Sequence, residues 1–230
     1  MIICADDYGL TAGVGRAIRE LLLAKRLSAT SCMTVTEIWP EEGEKLKNLE
    51  SRFDTGIHLT LTDLRPLGSM PRTAPKGSLP GLGSLVINNM LGTLDSNEVV
   101  EQFVRQIDRF YSIMGKFPDF IDGHHHIHQL PICRKALLKA LNKLGGNWKP
   151  YIRTSSEDYG LIVRRRVAVG KALGIAYYGR GLHRIANQHG FKTNSGFSGI
   201  YEFSKGHNYA RMFSRFLIGA KSNSILMCHP

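Results

Sequence analysis

The sequence predicts an α/β fold in which parallel strands alternate with helices, and two observations carry this prediction. Short apolar runs alternate along the chain with longer amphipathic segments, a pattern typical of βα units. Polar residues follow directly after several of the apolar runs, where parallel α/β folds gather their functional groups. With 230 residues and 43% hydrophobic side chains, the chain can close one core, so we expect a single domain over residues 1–230.

The elements follow from periodicity and from the residues that begin and end them. Buried apolar runs predict strands over residues 2–5, 31–36, 55–61, 117–122, 151–153, 175–178 and 224–228. Helical spacing and cap residues predict helices after Thr11, after Asp95 or Ser96, and over 132–144, 162–173 and 209–218. Residues 64–93 lack periodicity and predict a long loop with about one helical turn, which we expect to shape a binding site together with residues 179–206.

The net charge of the chain limits the classes of molecule that it could bind but does not select one of them. There are 30 Lys and Arg residues against 19 Asp and Glu, a net charge of +11. This excess suits nucleic acid, an anionic membrane surface or a negatively charged substrate. Part of it lies at 164–166 and between 135 and 149, where predicted helices would turn it to solvent. No motif of basic residues interleaved with aromatic ones accompanies this charge, so we expect no nucleic-acid partner.

The cysteine pattern and the N-terminus predict a cytoplasmic protein. The chain has four cysteines, none in a CxxC spacing, which fits a reduced compartment. No run of about 18 apolar residues is present, and the acidic pair at 6–7 follows too soon for a signal peptide.

A histidine cluster is the strongest chemical signal. Four of the nine histidines fall in the segment Asp122–His128, DGHHHIH. In a strand-like stretch, Asp122, His124 and His126 would share one face and His125 would point the other way. Buried imidazoles need partners, and a metal ion supplies one while a carboxylate orients the ring from behind. We therefore interpret the cluster as a metal site.

Two further signals are weaker alone. One of the pair Asp6 and Asp7 could be a metal ligand and the other a proton acceptor. A turn or a helix cap explains such a pair equally well. His58 could be an ordinary core histidine. Together, an Asp and two His with open positions for water match a hydrolytic metal site, and the pieces come from three predicted strands.

Four motifs in order resemble the signatures of the YdjC-like carbohydrate deacetylases, a family that includes chitooligosaccharide deacetylase and deacetylases associated with hopanoid biosynthesis. The motifs are ADDYGL at 5–10, GIHL at 56–59, DGHHHIH at 122–128 and CHP at 228–230, and they span almost the whole chain. The resemblance implies a TIM-like (β/α) barrel, distorted or incomplete. Gly123 stands where the family often has Ser. The chain ends directly after the last motif, where relatives usually continue, so we expect a short member or a shortened chain.

The resemblance also implies the reaction and its residues. It implies hydrolysis of the N-acetyl group of an amino sugar with one divalent ion, Mg²⁺ or Zn²⁺. Asp7, His58 and His124 would be the metal ligands, Asp6 the general base and His229 the general acid. Arg153 would orient Asp6 or a substrate oxygen, while His126 and His128 would support the site or contact the substrate.

Two alternative functions remain open from the sequence, and so do the exact sugar substrate and any membrane or subunit partner. A metal-dependent phosphoesterase also uses histidines and aspartates, with two close ions. A non-catalytic basic binding protein would leave the histidine cluster without a purpose. The expected substrate is an N-acetylated sugar, such as a chitooligosaccharide or a phosphorylated or lipid-linked sugar. A peripheral membrane contact and a homodimer are compatible with the composition.

Overall fold

Parallel strands form the centre of the molecule. The computed structural model describes residues 1–49, 53–203 and 208–230, and within them one sheet contains seven strands. They are β1 Ile2–Tyr8, β2 Ala29–Cys32, β3 Asp54–Leu59, β4 Phe120–Gly123, β5 Tyr151–Ile152, β6 Gly196–Ser198 and β7 Ser224–Cys228. The strand order is β5-β4-β3-β2-β1-β7-β6, and every neighbouring pair is parallel. All carboxyl ends therefore meet at one edge of the sheet.

Helices follow the strands as connections between them. They are α1 Ala12–Leu23, α2 Trp39–Lys47, α3 Leu82–Leu91, α4 Ser96–Met114, α5 Pro131–Leu144, α6 Tyr159–Arg165, α7 Val169–Gln188 and α8 Tyr209–Phe216. Thr11 caps α1 by accepting a hydrogen bond from the Val14 amide, and Asp95 caps α4 by accepting from the amides of Asn97 and Glu98. None of the helices in the described segments combines the length and hydropathy needed to cross a membrane.

The sheet curls until its two edge strands meet at an irregular seam. Ile152 in β5 forms an isolated parallel bridge with Thr193, and its amide donates to the Lys192 carbonyl at 2.9 Å. The Asn194 side chain then accepts from the Thr154 amide at 2.7 Å and donates to the Thr154 carbonyl at 2.8 Å. Side-chain hydrogen bonds thus replace a regular ladder here. The expected distorted, TIM-like α/β barrel is confirmed.

Most element predictions are confirmed, and the errors have different causes. The strand predicted at 175–178 and much of the 179–206 segment lie in α7, whose buried face uses small residues that give a weak periodic signal: Ala172, Ala176, Gly179, Leu182 and Ala186. The helix predicted at 162–173 is divided because Arg166 and Ala168 have left-handed φ angles of 54° and 40°.

Four other differences concern two helices and two strands. The 64–93 segment contains the ten-residue helix α3, and neither α2 nor β6 has a counterpart in the sequence-based prediction. The second strand occupies 29–32 instead of 31–36, because the chain turns away from the sheet after Cys32. Residues 204–207, at the end of the 179–206 segment, lie outside the described residues.

Candidate metal centre and active site

The carboxyl ends of four strands bring five polar residues to one cavity. Asp6 and Asp7 come from β1, His58 from β3, His124 follows β4 and His229 follows β7. The cavity has a volume of about 530 Å³ and lies at the edge of the sheet where parallel folds gather chemistry. Residues that are more than 200 positions apart in the sequence thus line the same cavity.

Three of these side chains form a compact donor triad. The Asp7 Oδ1 atom lies 2.9 Å from His124 Nδ1 and 3.3 Å from His58 Nε2. One donor atom from each residue fits within 4.8 Å of the others, a spacing that a single cation can bridge. Burial alone would raise the pKa of Asp7, but its contacts with His124 and His58 outweigh that effect and hold the pKa well below its usual range.

A local irregularity in β1 turns the two adjacent aspartates in different directions. Asp7 has a left-handed φ angle of 64°, and the pairing of β1 with β2 changes register between Ala5 and Tyr8. Such an irregularity re-aims a side chain at the edge of a sheet. Asp6 therefore points into the protein and Asp7 towards the histidines.

Arg153 binds Asp6 inside the barrel. Its guanidinium donates to the two carboxylate oxygens of Asp6 at 2.6 and 2.7 Å, and Nη1 lies 2.9 Å from Asp122 Oδ2. All three side chains are buried. Burial would raise the pKa of Asp6, but the charge and hydrogen bonds of Arg153 prevail and lower it to about 2. Asp6 is therefore ionised and held in one orientation.

Asp122 orients His58 from the neighbouring strand. His58 and Asp122 are paired across β3 and β4, and Nδ1 of the ring lies 2.6 Å from Asp122 Oδ1. The Ser31 hydroxyl donates to the same oxygen. Burial would lower the pKa of His58, but the charges of Asp122 and Asp6 outweigh it and raise the pKa to about 10. These carboxylates make the pocket attractive to a cation.

The histidine cluster is a turn instead of a strand, so the predicted alternation of its side chains is wrong. Residues His124–Gln129 form a 3₁₀ segment, and His125 and His126 have left-handed φ angles of 53° and 58°. Consequently His124, His125 and His126 all line the cavity, whereas His128 is buried and contacts the Arg153 carbonyl at 2.8 Å. Burial lowers the pKa of His128 to about 4, so it is a neutral structural partner of the Arg153 backbone.

His229 lies beside the triad under two aromatic rings. Its Nε2 is 3.9 Å from Asp7 Oδ2, and the rings of Tyr201 and Phe203 meet it edge-on at 6.1 and 5.0 Å. Its Nδ1 is buried, with no hydrogen-bond partner in the described part of the chain. Burial lowers the pKa of His229, against the opposing effect of Asp6 and Asp7.

The remaining walls of the cavity are largely apolar. They combine side chains from α3, α7 and the segment after β6 with one residue before α5 and one in β7: Leu82, Val86, Ile175, Tyr178, Ile200, Phe203, Leu130 and Met227. Among the described lining residues, Lys171 is the single Lys or Arg, and its ammonium lies 3.8 Å from the carboxylate of Glu202. The segments 64–93 and 179–206 were expected to shape a binding site, and they contribute Leu82, Val86, Ile200 and Phe203. The contribution of Ile175 and Tyr178 was missed, because the sequence predicted a strand there instead of α7.

Comparison with known proteins agrees with this arrangement. The family model for the YdjC-like protein matches residues 1–230, the whole chain. The chain belongs to the YdjC-like family. Chitooligosaccharide deacetylases of Yersinia pestis (strain Pestoides F) and Yersinia pseudotuberculosis serotype O:1b (strain IP 31758) are each 33% identical over 133 residues, 57% of this chain. The match spans about half the length of these curated relatives, 51%.

A solved structure shares the fold of this YdjC-like chain. It belongs to an Enterococcus faecalis V583 protein described as a suspected cellobiose-phosphate cleavage protein. It superposes with a TM-score of 0.66 at 20% sequence identity, over 100% of this chain and 80% of the other. This degree of likeness establishes the common fold.

Proposed function

We propose that this chain is a metal-dependent hydrolase that removes the N-acetyl group from an amino sugar. The observation that carries the proposal is the presence, in one cavity, of a donor triad, a buried carboxylate held ionised and a histidine beside them. The similarity to proteins named chitooligosaccharide deacetylase supports the same reaction class.

The chemistry of the donor set fits one divalent ion held by Asp7, His58 and His124. Two imidazoles and one carboxylate favour Zn²⁺ over Mg²⁺, which prefers oxygen ligands. A bound ion would supply positive charge that polarises the acyl oxygen and makes water more acidic. Asp122 would keep the His58 ring in the orientation in which Nε2 faces that ion.

In this proposal Asp6 accepts the proton of the attacking water. Arg153 occupies one lone-pair direction on each carboxylate oxygen and fixes the plane of the group. Oδ1 also accepts from the Cys4 thiol at 3.8 Å, whereas Oδ2 retains a second lone pair, and Asp6 lines the cavity. His229, on the other side of Asp7, then delivers a proton to the departing amine.

The cavity favours an uncharged sugar over a phosphorylated one. Lys171 is the single Lys or Arg among the described lining residues, and the carboxylate of Glu202 partly neutralises its charge. A phosphate group would be poorly satisfied there, since such groups are normally bound by several N–H donors. The apolar walls suit sugar rings and an apolar group attached to them, so chitooligosaccharides and lipid-linked N-acetylglucosamine are the substrates that we propose.

The same geometry disfavours a two-metal phosphoesterase. A second group of close donor atoms, Cys4, Asp6 and Asp122, is already filled by the guanidinium of Arg153. Because Arg153 already occupies this cation site, the part of the chain that the structure describes leaves no place for a second ion there.

Acetate release from N,N′-diacetylchitobiose, measured with bound metal, tests the proposal. We expect His58→Ala and His124→Ala to lose both metal and activity. Asp6→Asn should retain metal and lose activity by about 10² to 10⁴-fold, the range for general-base removal. His189→Ala, a matched histidine change on the exposed end of α7, should retain both. Full activity of Asp6→Asn would rule out its assignment as base.

A further inference from the structure

His126 lines the cavity but has no role in the proposed chemistry. Its Nδ1 atom lies 3.3 Å from the Ser155 hydroxyl, and its ring meets Phe197 edge-on at 5.6 Å. Within the described segments, no protein group forms a hydrogen bond with Nε2, and this atom is not among the buried polar atoms that lack a partner. The free nitrogen is therefore accessible from the cavity that the ring lines.

The amide of Gln129 has a defined orientation below this histidine. The Ser155 backbone amide, which can only donate, lies 2.8 Å from Gln129 Oε1. The opposite end of the same side chain, Nε2, therefore donates to the Ser155 hydroxyl oxygen at 3.0 Å. Gly179 of α7 closes over this pair, because a Cβ at that position would come within 2.8 Å of Gln129 Oε1 and 2.6 Å of the Ser156 amide nitrogen.

These contacts determine which nitrogen of His126 carries the proton. The Ser155 hydroxyl accepts from Gln129, and His126 Nδ1 is the acceptor that the structure offers for its own hydrogen. If Nδ1 carried the proton, Ser155 would accept twice and its hydroxyl hydrogen would have no acceptor in the described residues; the arrangement that pairs all three side chains leaves Nδ1 bare and puts the ring proton on Nε2. A relay of Gln129, Ser155 and His126 thus presents a fixed N–H donor to the cavity.

The position of His126 indicates what this donor would bind. Ser155 follows β5, and Phe197 lies in β6, so the ring stands at the seam of the barrel. The triad comes from β1, β3 and β4, in the inner part of the strand order, and His126 forms no hydrogen bond with any of its three residues within the described segments. We propose that His126 donates a hydrogen bond from Nε2 to a sugar oxygen outside the reacting acetamido group and so determines substrate specificity. This inference rests on the proposed deacetylase function.

The tautomer can be measured without any turnover. Two-bond ¹⁵N–¹H correlation spectra of ¹⁵N-histidine-labelled protein should show the His126 proton on Nε2 in the wild type. In Ser155→Ala, which removes the donor to Nδ1, the resonances should shift towards a mixture of tautomers. A wild-type proton on Nδ1 would overturn the inference, whether or not the chain proves to be a deacetylase.

Kinetics test the contact itself. His126→Ala should raise KM for N,N′-diacetylchitobiose by about fivefold to tenfold, as expected for one lost hydrogen bond, with kcat within about twofold. Bound metal should be unchanged. His126→Gln, whose amide keeps a donor at a similar reach, should restore most of the affinity, and His189→Ala should behave as wild type. A decrease of kcat at constant KM, or no change in either, would contradict the contact.

If the wild type releases no acetate, the proposed function fails on its own. The Kd of the same sugar, measured by calorimetry for the wild type and His126→Ala, then decides the contact. Equal Kd values would overturn it, and weaker binding by the variant would support it.

Discussion

The outer pair of helices α4 and α5 and the site at the carboxyl ends of β1, β3 and β4 are both buried, but by opposite means. The helix pair is closed by apolar side chains in regular helices, among them Phe103, Ile107 and Leu137. The site instead buries Asp6, Asp122, Arg153 and His58, and three of its neighbouring residues adopt left-handed backbone angles: Asp7, His125 and His126. An apolar core can lose part of one side chain and still hold its fold, whereas each buried charge depends on a specific partner of opposite charge.

The largest effect should come from removing the central cation of the site. Arg153→Met leaves Asp6 and Asp122 buried without compensation, which should lower the free energy of unfolding by about 3–5 kcal/mol. Urea denaturation measures this loss. Arg180→Met serves as the control, because Arg180 is exposed and stacks on Tyr159, so we expect a loss of about 0.5–1 kcal/mol. Equal losses of unfolding free energy in the two variants would contradict the claim that the buried charges of the site depend on Arg153.

Truncation in the helix pair should reduce stability but not affect the chemistry. Leu137→Ala removes a fully buried side chain from α5 and should destabilise by about 2–5 kcal/mol through lost burial and a cavity. Bound metal and kcat of the folded protein should stay as in the wild type. Lys139→Ala, an exposed change on the same helix, should leave stability within about 0.5 kcal/mol. A loss of metal in Leu137→Ala would mean that the two regions are not independent.

The cap of α4 should contribute less. Asp95→Ala removes the acceptor for the amides of Asn97 and Glu98 and should cost about 1 kcal/mol in thermal or chemical unfolding. The sequence left Asp95 and Ser96 as alternative caps, and the structure assigns the role to Asp95. Ser96→Ala should therefore have a small effect, and a larger loss for Ser96→Ala would reverse that assignment.

A buried carboxylate outside the site gives the smallest of these effects, seen as a pH dependence. Burial raises the pKa of Glu42, but hydrogen bonds from Lys45 and Arg19 outweigh it and lower the pKa. Because the folded pKa is the lower one, Glu42 stabilises the fold above its unfolded pKa of about 4.3, and this stability is lost as the pH falls through the folded pKa. The stability difference between wild type and Glu42→Gln should therefore shrink between pH 7 and pH 3. A constant difference would contradict this linkage.

The same contrast explains what could be predicted from the sequence. Helices α4 and α5 have apolar residues at helical spacing, Asp95 caps α4 and Gly145 ends α5, so local pattern and structure agree. The residues at the strand ends were found because motif and strand end coincide.

The partners of those residues could not be predicted, because they depend on register and turn geometry. Asp122 reaches His58 only through the pairing of β3 with β4, and Ser31 joins them from β2. Left-handed angles at His125 and His126 convert a presumed strand into a turn. Small residues along the buried face of α7 concealed the helix that provides a cavity wall.

A metal titration of activity tests the central proposal most directly. Chain freed of metal by chelation is mixed with increasing Zn²⁺, and acetate and free amine from N,N′-diacetylchitobiose are measured by proton NMR. One triad predicts that the rate rises linearly and breaks at one ion per chain, with equal amounts of acetate and amine. A break at two ions per chain, or a rate that does not depend on metal, would contradict the account.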